Sequence, residues 1–123
     1  MRIAFEPDVV DRGVPVGGLV SWRRAIEYVN QIPTDETTAE IRVRTHNPWA
    51  RGMSFEQMRH EVAHELGHVL GLDDSRRLGA VMSPLDLRRP VGKVGDDELE
   101  ALHRLRDLAA EVRREALEYA MRV

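Results

Sequence analysis

The sequence contains no cysteine, which excludes a disulfide framework and a metal site built from thiolates. It also lacks a run of 18 apolar residues, so we expect no membrane-spanning helix and no membrane partner. Lys93 is the single lysine among many arginines, and interleaved acidic residues bring the net charge to −3. Because no basic stripe results, we expect no nucleic-acid partner.

The N-terminal segment, Met1 to Val10, has neither the basic start nor the long apolar core of a signal peptide. We therefore expect a cytoplasmic protein if the chain is full length, and a secreted one if a leader has been removed. The 123 residues are 42% hydrophobic and 32% charged, which is typical of a soluble globular protein. This length predicts a single domain over residues 1–123.

The order of predicted elements is β-α-β-α-α, which indicates an α+β domain. Residues 2–6 and 39–45 have the composition and alternation of strands. Apolar residues recur at helical spacing over 22–32, and Pro33 stops that pattern. We predict a small sheet packed on the helix that follows Ser54, and a long C-terminal helix over 96–123.

The helix after Ser54 has clear signals at both ends. Ser54 can cap its N-terminus, and Gln57 three residues later completes a capping box. Gly71 follows the periodic pattern and can adopt the left-handed conformation that ends a helix. Two sets of residues fall on opposite sides: the apolar Phe55, Met58, Val62, Leu66 and Val69, and the histidines His60, His64 and His68. We therefore predict that the histidines lie away from the core.

The histidine side carries the pattern HExxH twice, with His64 shared between the copies. Residues four apart on a helix are separated by about 6 Å along the axis and project the same way. Two such histidines can bind one zinc ion, and the glutamate between them can reach a water molecule without being a ligand. The spacing therefore predicts a metal site on this helix.

The residues after the helix distinguish the two copies, because catalytic zinc takes a third protein ligand. Read from His64, the stretch is HExxHxxGxxD, in which Gly71 allows a turn and Asp74 supplies the third ligand. Read from His60, the third position falls on Leu70, which cannot bind a metal. The predicted site therefore consists of the metal ligands His64, His68 and Asp74, with Glu65 as general base. We interpret His60 as a solvated residue or one that supports a ligand.

The segment HELGHVLGLDDS, followed by GAVMSP, resembles the metzincin zinc peptidases, and most closely their matrixin branch. Their pattern is HExxHxxGxxH, followed by a methionine-containing turn under the metal. The resemblance implies a minimal metzincin-like zincin domain that binds one zinc ion and takes a peptide or protein substrate. It also implies that His64 and His68 are ligands, Glu65 the base, Gly71 the turn glycine and Met82 the Met-turn residue.

The sequence departs from the family pattern at the third ligand, where Asp74 replaces the usual histidine. The snapalysin-like bacterial peptidases also have an aspartate there, and the family's frame favours Asp74 over its neighbour Asp73. The short connection before the metal helix offers a substrate only the predicted strand at 39–45 as an exposed edge. We therefore expect a shallow cleft.

These observations predict a zinc metalloendopeptidase that hydrolyses peptide bonds with an activated water and Glu65 as general base. A catalytically silent zinc-binding domain is the first alternative, because the cleft is so reduced. Two histidines with one carboxylate are also the ligand set of non-haem iron oxygenases, which usually have an all-β scaffold. A di-iron bundle is a further alternative, since Glu65-x-x-His68 and Glu100-x-x-His103 form ExxH pairs on two helices.

The C-terminal helix carries an apolar stripe with steps of three and four residues. Its members are Leu102, Leu105, Ala109, Val112, Ala116 and Tyr119. The stripe extends beyond the part that resembles the matrixins, so a homodimer formed through this helix is a hypothesis to be tested.

Overall fold

Five strands and two helices are found along residues 1–122, the part of the chain that this computed structural model describes. In chain order they are β1 (Arg2–Glu6), β2 (Val10–Asp11), β3 (Val14–Pro15), β4 (Gly18–Val29), β5 (Ile32–Arg44), α1 (Phe55–Val69) and α2 (Asp96–Arg122). The predicted α+β class is confirmed, with a small sheet that contacts α1 and a long C-terminal helix. Val123, the last residue of the predicted helix, lies outside the described residues.

The main sheet has the strand order β1-β5-β4, so β5 is its central strand. β5 runs parallel to β1 and antiparallel to β4, and Ile41 pairs with both Ile3 and Val20. The side chains of Ile41 and Val43 are fully buried, whereas the intervening Arg42 is half-buried. This alternation places the apolar side of β5 in the core, and the predicted strand at 39–45 is its C-terminal part.

The predicted helix over 22–32 is wrong, because β4 and β5 form a long hairpin across that segment. Val29 pairs with Ile32, and the two residues between them, Asn30 and Gln31, have φ values of 51° and 66°. A two-residue loop with two positive φ values is the turn that matches the twist of paired strands. The segment is rich in aromatic and β-branched residues, which favour strands. It therefore forms a strand, although the spacing of its apolar residues also fits a helix.

Helix α1 begins and ends where its sequence predicts. The Gln57 N–H donates to Ser54 Oγ at 3.1 Å, and the Ser54 N–H donates to Gln57 Oε1 at 2.8 Å. Gly71 has a φ of 98°, a conformation that other residues rarely adopt, and it reverses the chain after Leu70. The capping box and the glycine stop are therefore confirmed.

The prediction that the histidine side of α1 lies away from the core is wrong. The His60 side chain is only 1% exposed, whereas Phe55 at the start of the apolar side is 69% exposed. The physical reason is that chain from the 72–95 region covers the histidine side and supplies backbone hydrogen-bond partners for all three rings. Helical periodicity separates two sides of a helix, but it does not tell which one the rest of the chain covers.

Helix α2 contacts the domain only near its N-terminus. Leu102 and Leu105 are half-buried, and Leu105 approaches Gly71, but no residue of the helix is fully buried. The same apolar stripe continues through Val112 and Tyr119, which are exposed. No helix among residues 1–122 has the length and apolar character needed to cross a membrane.

Candidate metal centre

The structure brings the three predicted ligands together at the end of α1. The Nε2 atoms of His64 and His68 are 3.1 Å apart, and Asp74 Oδ1 lies 3.2 Å from the first and 3.1 Å from the second. These three atoms form a nearly equilateral triangle. Within the described residues, no other group of three or more histidine or acidic side chains is placed to hold a metal.

Both histidines of the triangle are oriented by backbone carbonyl groups. His64 Nδ1 lies 2.9 Å from the carbonyl oxygen of Val81, and His68 Nδ1 lies 2.8 Å from that of Leu72. Because a carbonyl oxygen only accepts, each Nδ1 carries the proton and donates it. Each Nε2 therefore directs a lone pair toward the centre of the triangle, which is the arrangement of metal-binding histidines.

The size and chemistry of the triangle fit zinc. Zinc–nitrogen and zinc–oxygen bonds of about 2.0–2.1 Å at tetrahedral angles place ligand atoms about 3.3 Å apart. Two imidazoles and one carboxylate also form a ligand set that zinc accepts, with the fourth position left for water or substrate. Three lone pairs that converge without a shared proton repel one another, so a cation between them stabilises the arrangement.

The turn at residues 80–83 packs against α1 and provides the carbonyl groups of Val81 and Ser83 that accept from His64 and His60. The Ser83 N–H donates to the carbonyl oxygen of Ala80 at 3.1 Å and closes the turn, and Met82 within it is 2% exposed. The Met82 sulfur packs so closely on α1 that a Cβ atom at Gly67 would overlap it. A glycine inside a helix costs about 1 kcal/mol relative to alanine, and here the close approach of Met82 accounts for it.

Glu98 of α2 holds this turn in place, and the sequence interpretation did not identify it. Its Oε1 accepts from the Val81 N–H at 3.1 Å, and its Oε2 accepts from the Met82 N–H at 2.8 Å. Oε1 also accepts from the Gly95 N–H at 3.1 Å, at the start of its own helix. An acidic residue in the first turn of a helix is an ordinary capping signal, so its presence there does not predict the contact with the 80–83 turn.

His60 lies one turn before the triangle and takes no part in it. Its Nδ1 accepts from the Val91 N–H at 2.9 Å, so Nε2 carries the proton and donates to the carbonyl oxygen of Ser83 at 3.1 Å. Both ring nitrogens are therefore engaged, and the ring links α1 to the 80–83 turn and to the chain beyond it. Of the two roles considered for His60, the solvated one is wrong because the ring is buried.

Glu65 interacts electrostatically with the three residues of the triangle and also lines a cavity. Its side chain packs against Gly18, where an added Cβ atom would lie 2.8 Å from Glu65 Oε1. Burial raises the pKa of the Glu65 carboxyl group, while His64 and His68 act in the opposite direction and Asp74 adds a smaller increase. A raised pKa makes a carboxylate a better proton acceptor near neutral pH.

Two other acidic groups considered from the sequence lie outside the triangle. Asp73 is exposed and is not one of the three converging residues. The Glu100 and His103 pair on α2 is also exposed, and Glu100 forms an ion pair of 3.4 Å with Arg104. A di-iron bundle needs both ExxH pairs at one site. The Glu100 and His103 pair does not join the Glu65 and His68 pair, so this requirement is not met.

The fold and the site define an α+β domain in which three side chains that could hold a metal ion converge at the end of one helix and the turn after it. A family model for the matrixins, peptidase family M10, matches residues 25–105, which include α1, the 80–83 turn and the start of α2. The chain therefore belongs to the matrixin family of zinc-dependent peptidases, as its resemblance to that family predicted.

One relative is matrix metalloproteinase-23 of Bos taurus, which is 35% identical over 71 residues. The aligned part is 58% of this chain and 18% of the relative, so the chain corresponds to less than a fifth of that protein's length. No solved structure matches the chain.

Proposed function

We propose that this chain is a zinc-dependent peptidase domain in which His64, His68 and Asp74 hold one zinc ion. The observation that carries the proposal is the triangle of ligand atoms with sides of 3.1–3.2 Å, in which both imidazole Nε2 atoms are free to coordinate. Asp74 is the most exposed of the three, with 73% of its side chain accessible. The site is therefore open to a substrate on the Asp74 side.

Zinc, when bound at such a site, supplies Lewis-acid chemistry that lowers the pKa of water toward 7 and polarises a carbonyl group. Glu65 is the general base, because it follows His64 on the helix and its carboxyl group is largely buried beside the ligands. It accepts a proton from the attacking water and donates this proton to the leaving amine. Its raised pKa favours both steps, since the carboxyl group must take up and release a proton near neutral pH.

The substrate is a peptide or protein that lies between Glu65 and the edge of the sheet. The expected contact with residues 39–45 is wrong, because β5 is flanked by β1 and β4 and has no free edge there. β4 is an edge strand, and its first residue, Gly18, packs against Glu65. An extended substrate that pairs with the start of β4 brings its backbone close to the base.

A cavity of about 390 Å³ next to Glu65 offers room for one substrate side chain. It is lined by the Pro15–Gly18 segment, by Pro48 and Trp49, and by Leu85 and Leu87 after the 80–83 turn. The expectation of a shallow cleft stays a prediction, and this cavity is the space that it offers next to Glu65. A cavity of this kind is compatible with a peptidase, and the silent-domain alternative gives it no role.

Metal content and peptide hydrolysis, measured on the same protein sample, test the proposal. We expect one zinc per chain, and cleavage of a mixed peptide library that stops with a chelator and returns when zinc is added. Zinc without cleavage would favour the silent domain. A chain that binds iron in place of zinc would favour the oxygenase, which uses the same ligand set.

A further inference from the structure

The cavity beside Glu65 contains a second carboxyl group, that of Glu61, one helical turn earlier on α1. Glu61 is only 6% exposed, and no donor among residues 1–122 forms a hydrogen bond with its carboxylate. No fully buried side-chain oxygen or nitrogen atom among the described residues lacks a hydrogen-bond partner, so the carboxylate oxygens of Glu61, which have none, remain accessible from the cavity that Glu61 lines. A buried acidic group without a donor is costly, and its presence in a cavity calls for an explanation.

The bend before β4 leaves room for the carboxyl group of Glu61. A Cβ atom at Gly17 would lie 2.6 Å from Glu61 Cδ and 2.7 Å from both carboxylate oxygens. Only glycine leaves room for this approach, so the side chain of Glu61 extends from α1 to the bend before β4. Gly17 directly precedes the start of β4, which is the edge proposed for the substrate, so Glu61 lines the cavity next to that edge.

The one basic residue that lines this cavity within the described chain does not neutralise Glu61. Arg44 donates to the carbonyl oxygens of Val16 and His46, at 3.1 Å each, and to Asp8 Oδ1 at 2.8 Å. Its guanidinium group therefore forms hydrogen bonds with the loops around the sheet, and none with Glu61. The cavity is left with two carboxyl groups, Glu61 and Glu65, in a wall that is otherwise mainly apolar.

We propose that Glu61 determines substrate specificity by binding a lysine or arginine side chain of the peptide in this cavity. The inference rests on the proposed peptidase function and adds the class of side chain that is selected. The apolar lining accommodates the methylene groups of such a side chain, and the carboxylate of Glu61 binds its charged end. Burial raises the pKa of Glu61 to about 7, which shows how poorly its charge is compensated without a cation.

The test compares the zinc-loaded protein with Glu61→Gln, which keeps the shape of the side chain and removes its charge. Cleavage sites in a mixed peptide library are sequenced, and kcat/KM is then measured for peptides that differ only at the selected position. We expect lysine or arginine to be preferred over leucine there. Glu61→Gln should reduce kcat/KM for the basic peptide by about 30-fold or more, because a buried charge loses its partner, and leave that for leucine largely unchanged.

Glu56→Gln is the matched control, since Glu56 lies on the same helix and is exposed. It should leave the preference unchanged. An equal preference for leucine, or a basic preference that survives in Glu61→Gln, would overturn the inference while leaving the peptidase proposal intact. Glu61→Met replaces Glu61→Gln if the latter fails to fold.

A binding measurement separates this inference from the peptidase proposal. N-acetyl-arginine amide and N-acetyl-leucine amide are titrated by NMR into the wild type and Glu61→Gln. We expect the arginine probe to shift the signals of cavity residues in the wild type only. If no peptide is cleaved, the peptidase proposal fails, and this titration still decides whether Glu61 binds a basic side chain. If neither protein binds the arginine probe, the inference fails.

Discussion

His64 donates its Nδ1 proton to the carbonyl oxygen of Val81 across 2.9 Å, and this bond aims its Nε2 at the candidate metal centre. The Val81 N–H is in turn held by Glu98 at 3.1 Å. A carboxylate at the start of α2 therefore sets the orientation of an imidazole on α1 through the intervening turn. Partners of this kind usually matter for metal affinity almost as much as the ligands do.

Glu98→Ala should weaken zinc binding by about 10–100-fold, because the 80–83 turn loses the acceptor of two N–H groups. Competition with a chelating dye measures the affinity, and circular dichroism shows that the variant remains folded. Glu100→Ala is the control, since Glu100 lies on the same helix and forms only an exposed ion pair of 3.4 Å. Equal affinities of the two variants would show that Glu98 does not position the site.

Glu65→Ala should retain zinc and lose peptide hydrolysis, by about 10²–10⁴-fold in kcat, because it removes the base and no ligand. Zinc is measured by mass spectrometry and hydrolysis with a library peptide. The exposed Glu56, changed to alanine, provides the comparison on the same helix. Loss of the metal from Glu65→Ala would mean that Glu65 had been assigned the wrong role.

His68→Ala should lose most of the zinc, whereas His60→Ala should keep it. The structure adds a reason why the metal does not slip one turn to the His60 and His64 pair, since both nitrogens of His60 are engaged with Val91 and Ser83. His60→Ala should instead reduce the free energy of unfolding by about 2–4 kcal/mol, because it leaves a cavity and two unpaired backbone groups. Dye competition and urea unfolding separate these effects. Zinc lost from His60→Ala and tightly held by His68→Ala would show that the first HExxH copy holds the metal.

The contribution of Glu61 to the stability of the zinc-free protein should fall as the pH rises from about 4.5 to about 7. The pKa of Glu61 is raised from 4.5 to about 7 by burial, so in this range the folded state keeps a proton that the unfolded state has released. A shift of this size corresponds to about 3 kcal/mol. Urea unfolding of the wild type and Glu61→Gln at several pH values isolates the effect as the difference between the two. A difference that stays constant with pH would contradict it.

The exposed stripe on α2 leads us to propose that two copies of the chain associate through this helix. Leu105 contacts the domain near Gly71, but Val112 and Tyr119 on the same stripe are 56% and 72% exposed. We expect the full chain to sediment as a dimer and a chain truncated after Arg106 to sediment as a monomer. Leu108→Ala, which changes an exposed residue outside the stripe, should remain dimeric. An unchanged mass after truncation would remove the proposal.

The sequence predicts the parts of this molecule that depend on neighbouring residues. Ser54 with Gln57, and Gly71 at the helix end, are local signals, and the structure confirms them. The helix predicted over 22–32 is wrong, because residues 22–29 pair with the strand that directly follows the two-residue turn at Asn30 and Gln31. The spacing of apolar residues within one segment does not show that this segment pairs with the next.

The same distinction holds at the candidate site. His64, His68 and Asp74 follow from spacing along one helix and one turn, and the structure brings them together. Glu98 and the buried role of His60 depend on contacts with distant parts of the chain, as does the approach of Glu61 to Gly17. None of these contacts leaves a periodic pattern, so a single sequence does not reveal them.

The order in which the chain is synthesised gives the Glu98 contact a further consequence. A ribosome makes His64 and His68 well before it makes the carbonyl group of Val81 and the carboxylate of Glu98 that hold the first ring in place. A metal ion that arrives early meets two histidines on a helix whose supporting turn does not yet exist. The supporting contacts of the candidate site are complete only after the first turn of α2 has been synthesised, so we expect accurate metal binding to be a late event in the synthesis of this protein.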